Sequence, residues 1–381
     1  MHAPSVGEGW QARPVLERAR LANPRLQLVY TWFSPSAEQF AASLDVDWAG
    51  PLPLDTPGNA QAVLAALQPT ALVFAKADVW PVLAEAAHAR GVRLGLVSAT
   101  LARGSSRDRF ARALLRDAYA ALDAIGAIDQ DHAGRLVALG ARSSVISVTG
   151  DTRFDQVWQR ARDADRSSPL LLPFRDDRPT LVAGSTWPAD ERHLFAAWPR
   201  LLHEVGNGGR GVGGAGRRPR LIVAPHEPSP VHGATVARWA GKSALSFATF
   251  GSAEAGGADV VLVDRVGVLG ELYSIATVAF VGGGFHDAGL HSVLEPAAFG
   301  VPVIFGPRHT GSRDALLLLA AGAADWSATT EGIARALDRW LLQEPAGRAS
   351  AGASALAVVE AGRGAADRSW QLVAALLATS G

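Results

Sequence analysis

The 381-residue chain has no cysteine. This excludes disulfides, thiolate metal sites and cysteine nucleophiles. Its 36 Lys and Arg balance its 36 Asp and Glu, so no global charge argues for a nucleic-acid partner. No apolar run reaches the roughly 20 residues that a bilayer-spanning helix needs, since Gly, Pro or charge interrupts each one. Lysine is almost absent: only Lys76 and Lys242 occur among many arginines, which gives each of them weight. Against these absences stand 48% hydrophobic residues, enough for sizeable cores, and a length that favours two domains.

Short β-rich runs alternate with helical patterns nearly throughout. The first half offers "LQLVYTW" (26–32), "ALVFA" (71–75), "VRLGLVS" (92–98) and "SVISVTG" (144–150). The second offers "TLVAGS" (180–185), "RLIVAP" (220–225), "DVVLVD" (259–264), "VAFVGGG" (278–284) and "VPVIFGP" (301–307). Each apolar run ends in Gly, Pro, Ser or Asp and leads into a helical stretch, the pattern of parallel strands covered on both faces. Two such sets predict two doubly wound α/β domains, with the seam in the polar stretch 163–179. The low-complexity segment 206–218 reads as a surface loop. In open parallel sheets ligands bind beyond the carboxyl ends of the strands, and most of the motifs fall there.

The chain opens "MHAPSVGEGW", with Glu8 between Gly7 and Gly9 and a helical run behind it. A carboxylate so placed can serve as a general base if its pKa suits the task. In "VFAKADVWP" (73–81), Lys76 and Asp78 follow an apolar strand; they read as a functional pair or as a surface ion pair. In "VAGSTWPADE" (182–191), the hydroxyls and N–H groups of Ser185 and Thr186 suit a phosphate. Ordinary helix capping, with Pro188 at the helix start and acids in the first turn, explains the same residues. In "VGGGFHDAGLHSVLEPAAFG" (281–300), three glycines leave room for a ligand's bulk, and Glu295 sits one turn into a helix, suited to ribose hydroxyls. "LIVAPHEPSP" (221–230) puts His226 and Glu227 at another strand end; two adjacent ligands without a spaced partner make a poor metal site. The arginine-rich stretch 103–117 suits lipid phosphates or a solvated helix face. The residues alone therefore reach a metal-independent group transfer from a nucleotide-linked donor.

Taken together, these segments resemble the 3-deoxy-D-manno-octulosonic acid (Kdo) transferases of lipopolysaccharide biosynthesis. "HAPSVGE", "PLPLDTPGNA", "SATL", "TGDTRFD", "AGSTWPADE", "APHEP", "LYSIATVAFVGGGF", "HSVLEPAAFG" and "PVIFGP" follow the family's motifs in order, nearly end to end. The forms "FAKADVW", "GDTRFD" and "APHEP" look most like a Bacteroidetes-type branch. The resemblance implies a GT-B fold, two Rossmann-like doubly wound parallel-sheet domains facing across a cleft. It implies an acceptor-side domain over 1–165, a donor-binding domain over 178–345, and a helical segment over 346–381 packing back on the first domain. The donor would be CMP-Kdo and the acceptor a lipid A precursor, in an inverting displacement with no cofactor and no essential metal. The enzyme would work peripherally at the cytoplasmic face of the inner membrane.

Carried over by motif, Glu8 and Asp78 are the expected catalytic residues, with Glu8 as the base. Lys76, Arg153, Ser185, Thr186, His226, Glu227, Gly283, Gly284, His291 and Glu295 are the expected donor contacts. Arg103, Arg107 and Arg109 are the expected acceptor contacts. Departures remain: Asp78 stands where the family usually has glutamate, His226 and Glu227 where many members have Arg-His, and Ser292 where asparagine is common. A ligand loop in a parallel sheet should follow a strand, yet His2 has none before it. The reading therefore expects a late or truncated start and a first sheet lacking a central strand. Another GT-B nucleotide-sugar transferase, an epimerase of the UDP-N-acetylglucosamine type, and a non-catalytic nucleotide-sugar-binding relic stay open as alternatives.

Overall fold

A computed structural model of the chain describes residues 1–101, 115–206 and 218–378. Arg103, Arg107 and Arg109, and most of the expected loop 206–218, lie outside the described residues. The chain forms two compact units, Met1–Gln156 with Gly362–Gly381, and Val157–Ala361. The division falls ahead of the polar stretch 163–179. Leu171 and Phe174 within that stretch are buried in a core cluster of the second unit, with the Phe174 ring stacked 5.8 Å from that of Phe250. Two apolar anchors thus outweigh the polar composition around them.

The second unit is built on a seven-stranded sheet. Its strands are β7 (Thr180–Thr186), β8 (Arg220–Pro225), β9 (Phe247–Thr249), β10 (Val260–Leu262), β11 (Val278–Val281), β12 (Val303–Phe305) and β13 (Ala324–Trp326). They lie in the order β13-β12-β11-β7-β8-β10-β9, every pair parallel. The chain winds outward one way from β7 and then the other way from β11, so the topological switch point lies between these two strands. Val182, Ile222, Val261 and Ala279 bury one face; Leu181, Leu221, Val260 and Phe280 bury the other. Burial on both faces is why these strands read as unbroken apolar runs.

The first unit has β1 (Val29–Trp32) paired with β2 (Trp48–Pro51), and a sheet of β3 (Ala71–Ala75), β4 (Arg93–Ala99), β5 (Ala124–Ala127) and β6 (Ile146–Val148) in that order, all parallel. Residues 1–3 run between β1 and β3. His2 bridges Thr31 on one side and Phe74 on the other. Its N–H donates to the Val73 carbonyl at 2.8 Å, and that of Ala3 to Thr31 at 3.0 Å. Beside these residues lies a cavity of about 540 Å³, lined by Met1, Val15, Leu16, Val29, Leu72 and Val73 among others. The helix Ala365–Ala378 packs on β3, β4 and β5 and on the helix Val6–Ala22.

Five helices open on a proline. Pro57, Pro81, Pro188, Pro230 and Pro345 each stand at a first helical position, where the missing N–H costs nothing. Thr56 and Ser229 cap two of these helices by accepting from Asn59 and His232.

Candidate functional site

In the first unit the strand ends gather Ser5, Glu8, Lys76 and Asp78. Ser5 caps the helix Val6–Ala22, which places Glu8 in its first turn, 7% exposed. Gly9 follows because a side chain there would run into the Phe40 ring, its Cβ only 2.5 Å from Cε1. Lys76 Nζ donates to Glu8 Oε1 at 2.8 Å, and Ser5 Oγ donates to Oε2. Burial alone would push the Glu8 carboxyl up; the hydrogen bonds from Lys76 and Ser5, with the lysine's charge, outweigh it and hold Glu8 below the ordinary glutamate value. Glu8 is therefore an ionised carboxylate, the form a base needs.

Lys76, grouped with the donor contacts by resemblance, thus lies on the expected base. Its backbone is left-handed, φ +65°, and is pinned by its N–H to the Val97 carbonyl at 2.9 Å. A non-glycine residue held there stores strain of about 1–3 kcal/mol, which the surrounding pairings must support. Two residues on, burial and then the Glu8 charge raise the Asp78 pKa against the pull of Lys76. Tyr119 steadies this turn by donating to the Ala77 carbonyl at 2.8 Å. Arg153, also expected on the donor, belongs to the first unit and grips the buried Asp151 with Nε and Nη2, at 3.0 and 2.7 Å to one oxygen.

In the second unit the ends of β7, β8 and β11 bring Ser185, Thr186, His226, Gly283 and His291 together. Ser185 is the bulged residue where β7 shifts register against β8, and its φ is +53°. Thr186 is buried, and its hydroxyl donates to Glu191 Oε1 at 2.7 Å. That proton is committed within the protein. Glu191 also pairs with His232 Nε2 at 2.8 Å. Burial raises the Glu191 pKa against these bonds.

The Trp187 ring stacks on His286 at 4.1 Å and lies 4.6 Å from His226, whose ring is 4.5 Å from His291. Trp187 Nε1 donates to His291 Nε2 at 3.1 Å. The indole N–H can only donate, so His291 Nε2 accepts this bond, and burial, followed by the neighbouring His226, lowers the His291 pKa. His226 and Glu227 are exposed at the end of β8.

The three glycines after β11 do not leave ligand-sized room. A Cβ on Gly282 would overlap the Ser185 carbonyl, and one on Gly284 would overlap the backbone of Gly306. Their absent side chains let strand ends touch backbone to backbone. The expected helix around Glu295 is also only four residues, Leu294–Ala297, too short to present a dipole to phosphate. Glu295 instead lines a cavity of about 210 Å³ with Arg160, Gly270 and Phe299; Arg160 Nη1 stands 3.6 Å from its Oε1. Burial raises its pKa, and the arginine opposes that.

Spacing did not mark Trp187, Asp190, Glu191, His232 or His286 as site residues. Asp190 and Glu191 read as first-turn helix acids, which they are; nothing in a one-dimensional pattern shows their second partners.

Comparison with known proteins follows this geometry. Residues 1–156 match the family described as 3-deoxy-D-manno-octulosonic-acid transferase (kdotransferase). The chain is 31% identical to the 3-deoxy-D-manno-octulosonic acid transferase of Bordetella pertussis, over 97% of this chain and 85% of that protein. It is 27% identical to the Haemophilus influenzae transferase over 97% and 84%, and 30% identical to that of Chlamydophila psittaci over 84% and 72%. Among solved structures, UDP-GlcNAc 2-epimerase from Neisseria meningitidis aligns over 99% of this chain and 98% of its own, with a TM-score of 0.67 at 13% identity. That likeness shows the fold alone, the GT-B arrangement of two Rossmann-like units. The match to the Bordetella pertussis transferase along 97% of this chain, whose strand ends carry the expected motifs, leaves one assignment: the chain belongs to the 3-deoxy-D-manno-octulosonic acid transferase family.

Proposed function

We propose that this chain transfers Kdo from CMP-Kdo to a hydroxyl of a lipid A precursor, with inversion in a single displacement. The observation that carries the reading is the match along 97% of the chain to a relative named for Kdo transfer. The geometry supplies the chemistry. The acceptor oxygen attacks the anomeric carbon of Kdo while the ionised Glu8 takes its proton. The bond from that carbon to the CMP phosphate breaks, and CMP leaves with the electron pair. In the second unit, backbone N–H groups at Ser185, Thr186 and Gly284, with His226, Glu227 and His291, are the proposed holders of the CMP phosphate and its sugar, while Gly283, its N–H taken by Asp190, shapes the turn beside them. Glu295 is the proposed acceptor of the ribose hydroxyls. Arg103, Arg107 and Arg109 are the proposed contacts for acceptor phosphates. Because the acceptor is a lipid, we place the enzyme peripherally on the cytoplasmic face of the inner membrane. Among the described residues no helix is long and apolar enough to cross it.

Incubation with CMP-Kdo and a tetraacylated lipid A precursor, followed by mass measurement, tests this. One or more added Kdo residues with release of CMP is the expected result. Turnover of UDP sugars without turnover of CMP-Kdo would replace the reading with another nucleotide-sugar activity. CMP binding without any transfer would reduce the chain to a binding protein.

A further inference from the structure

Asp190 is fully buried and accepts three backbone hydrogen bonds. Oδ2 accepts from Trp187 N at 2.9 Å and from Gly283 N at 2.8 Å, and Oδ1 accepts from Phe285 N at 2.9 Å. The first bond is the reciprocal half of a helix cap, from the third residue of the helix Pro188–Gly206 back to its start. The other two leave the helix and close on the glycine turn after β11. Capping alone requires one N–H; here one carboxylate joins two separate turns.

Those turns flank the topological switch point, where β7 and β11 lie side by side. An open parallel sheet forms its ligand crevice beyond the strand ends at such a point. The same knot sets the Trp187 and His286 rings face to face, 4.1 Å apart with 4° between their planes. It also fixes the carbonyl of Gly282, which accepts from His291 N at 3.1 Å. We propose that Asp190 is a positioning residue for the donor: by tying the 185–187 turn to the 282–286 turn, it holds the N–H groups and ring wall in the spacing that the donor's phosphate and sugar require. This rests on the transferase reading given above.

The chemistry of the side chain makes the proposal specific. All three partners donate, so the position needs two oxygens. Asparagine is nearly the same size but offers one oxygen and an NH₂. In either orientation the NH₂ meets at least one backbone N–H, and part of the knot opens.

The test compares wild type with Asp190→Asn and Asp190→Glu in three measurements: KM and kcat with CMP-Kdo, CMP affinity by calorimetry, and thermal unfolding. Loss of a charge-assisted bond that orders a binding loop is expected to raise KM and the CMP dissociation constant at least about tenfold for Asp190→Asn. The kcat is expected to stay within about threefold, because ground state and transition state lose the same contact. Asp190→Glu, which keeps both oxygens, is expected to recover part of the CMP affinity. Leu201→Ala, a core change in the same helix, serves as the stability control: it should lower Tm and leave KM unchanged. Equal CMP affinity in wild type and Asp190→Asn overturns the proposal, as does an equal rise of KM in Leu201→Ala. If Asp190→Asn does not fold, Asp190→Ser, which offers a single uncharged oxygen, carries the same comparison, and CMP affinity and KM both equal to wild type overturn the proposal. Failure of wild type to use CMP-Kdo sinks the transferase reading, while the CMP affinities still decide Asp190.

Discussion

Glu8→Ala leaves Lys76 and Ser5 without their acceptor and removes the proposed base. Turnover is expected to fall about 10²–10⁴-fold with CMP affinity unchanged, measured by product mass and calorimetry. Lys76→Met tests the electrostatics. With the ammonium gone, burial is the larger effect left on Glu8, so its pKa should rise. The acid limb of the kcat/KM profile should then move to higher pH. The sign for stability follows from the same depressed pKa. Glu8 contributes stability above the unfolded-state glutamate value and loses it as pH falls through its lower folded value. In Lys76→Met that contribution should shrink, visible as a smaller Tm difference between neutral and acid solution. Glu295→Ala should weaken CMP binding by about 1–3 kcal/mol through lost hydrogen bonds to ribose. Candidate residues stood out in the sequence where an apolar strand ends, as Lys76 does just after β3 and Ser185 does at the last residues of β7. Their partners were not: Lys76 and Glu8 are 68 residues apart, and only the folded sheet brings them to 2.8 Å.

Elements carry a second lesson about legibility. Strands buried on both faces announce themselves, and "ALVFA" and "RLIVAP" coincide with β3 and β8 residue for residue. The short strands β2, β5, β9 and β13, three or four residues each, lack a run long enough to show a period. The segment "HSVLEPAAFG" misleads in the other direction. Its composition favours a helix, but the chain turns at Gly300, φ +70°, after one helical turn. The glycine loop after β11 is a matter of elements too, since its job is the approach of one strand end to another. Gly284→Ala would force Cβ into the backbone of Gly306, which cannot yield as a side chain tip can. A Tm loss together with weaker CMP binding is expected, and a wild-type Tm would refute the packing role.

At the scale of the molecule, the division into units makes its own prediction. Val157–Ala361 is one uninterrupted stretch holding a complete seven-stranded sheet and its cores. Expressed alone, it is expected to fold cooperatively and to bind CMP, followed by thermal unfolding and calorimetry. The first unit is different, because it draws Gly362–Gly381 from far along the chain. Removing those residues should strip the cover from β4, where the Leu376 side chain packs over Gly95.

That arrangement has a consequence for how the protein is made. On the ribosome, residues 1–156 emerge first, with an apolar sheet face whose own helix has not been translated. The whole of the second unit must follow before that helix appears, a wait of some tens of seconds at about 5–20 residues per second. The half that is born first is therefore the half finished last. Through that interval the apolar face stays without its own helix, and the second unit is complete before the first.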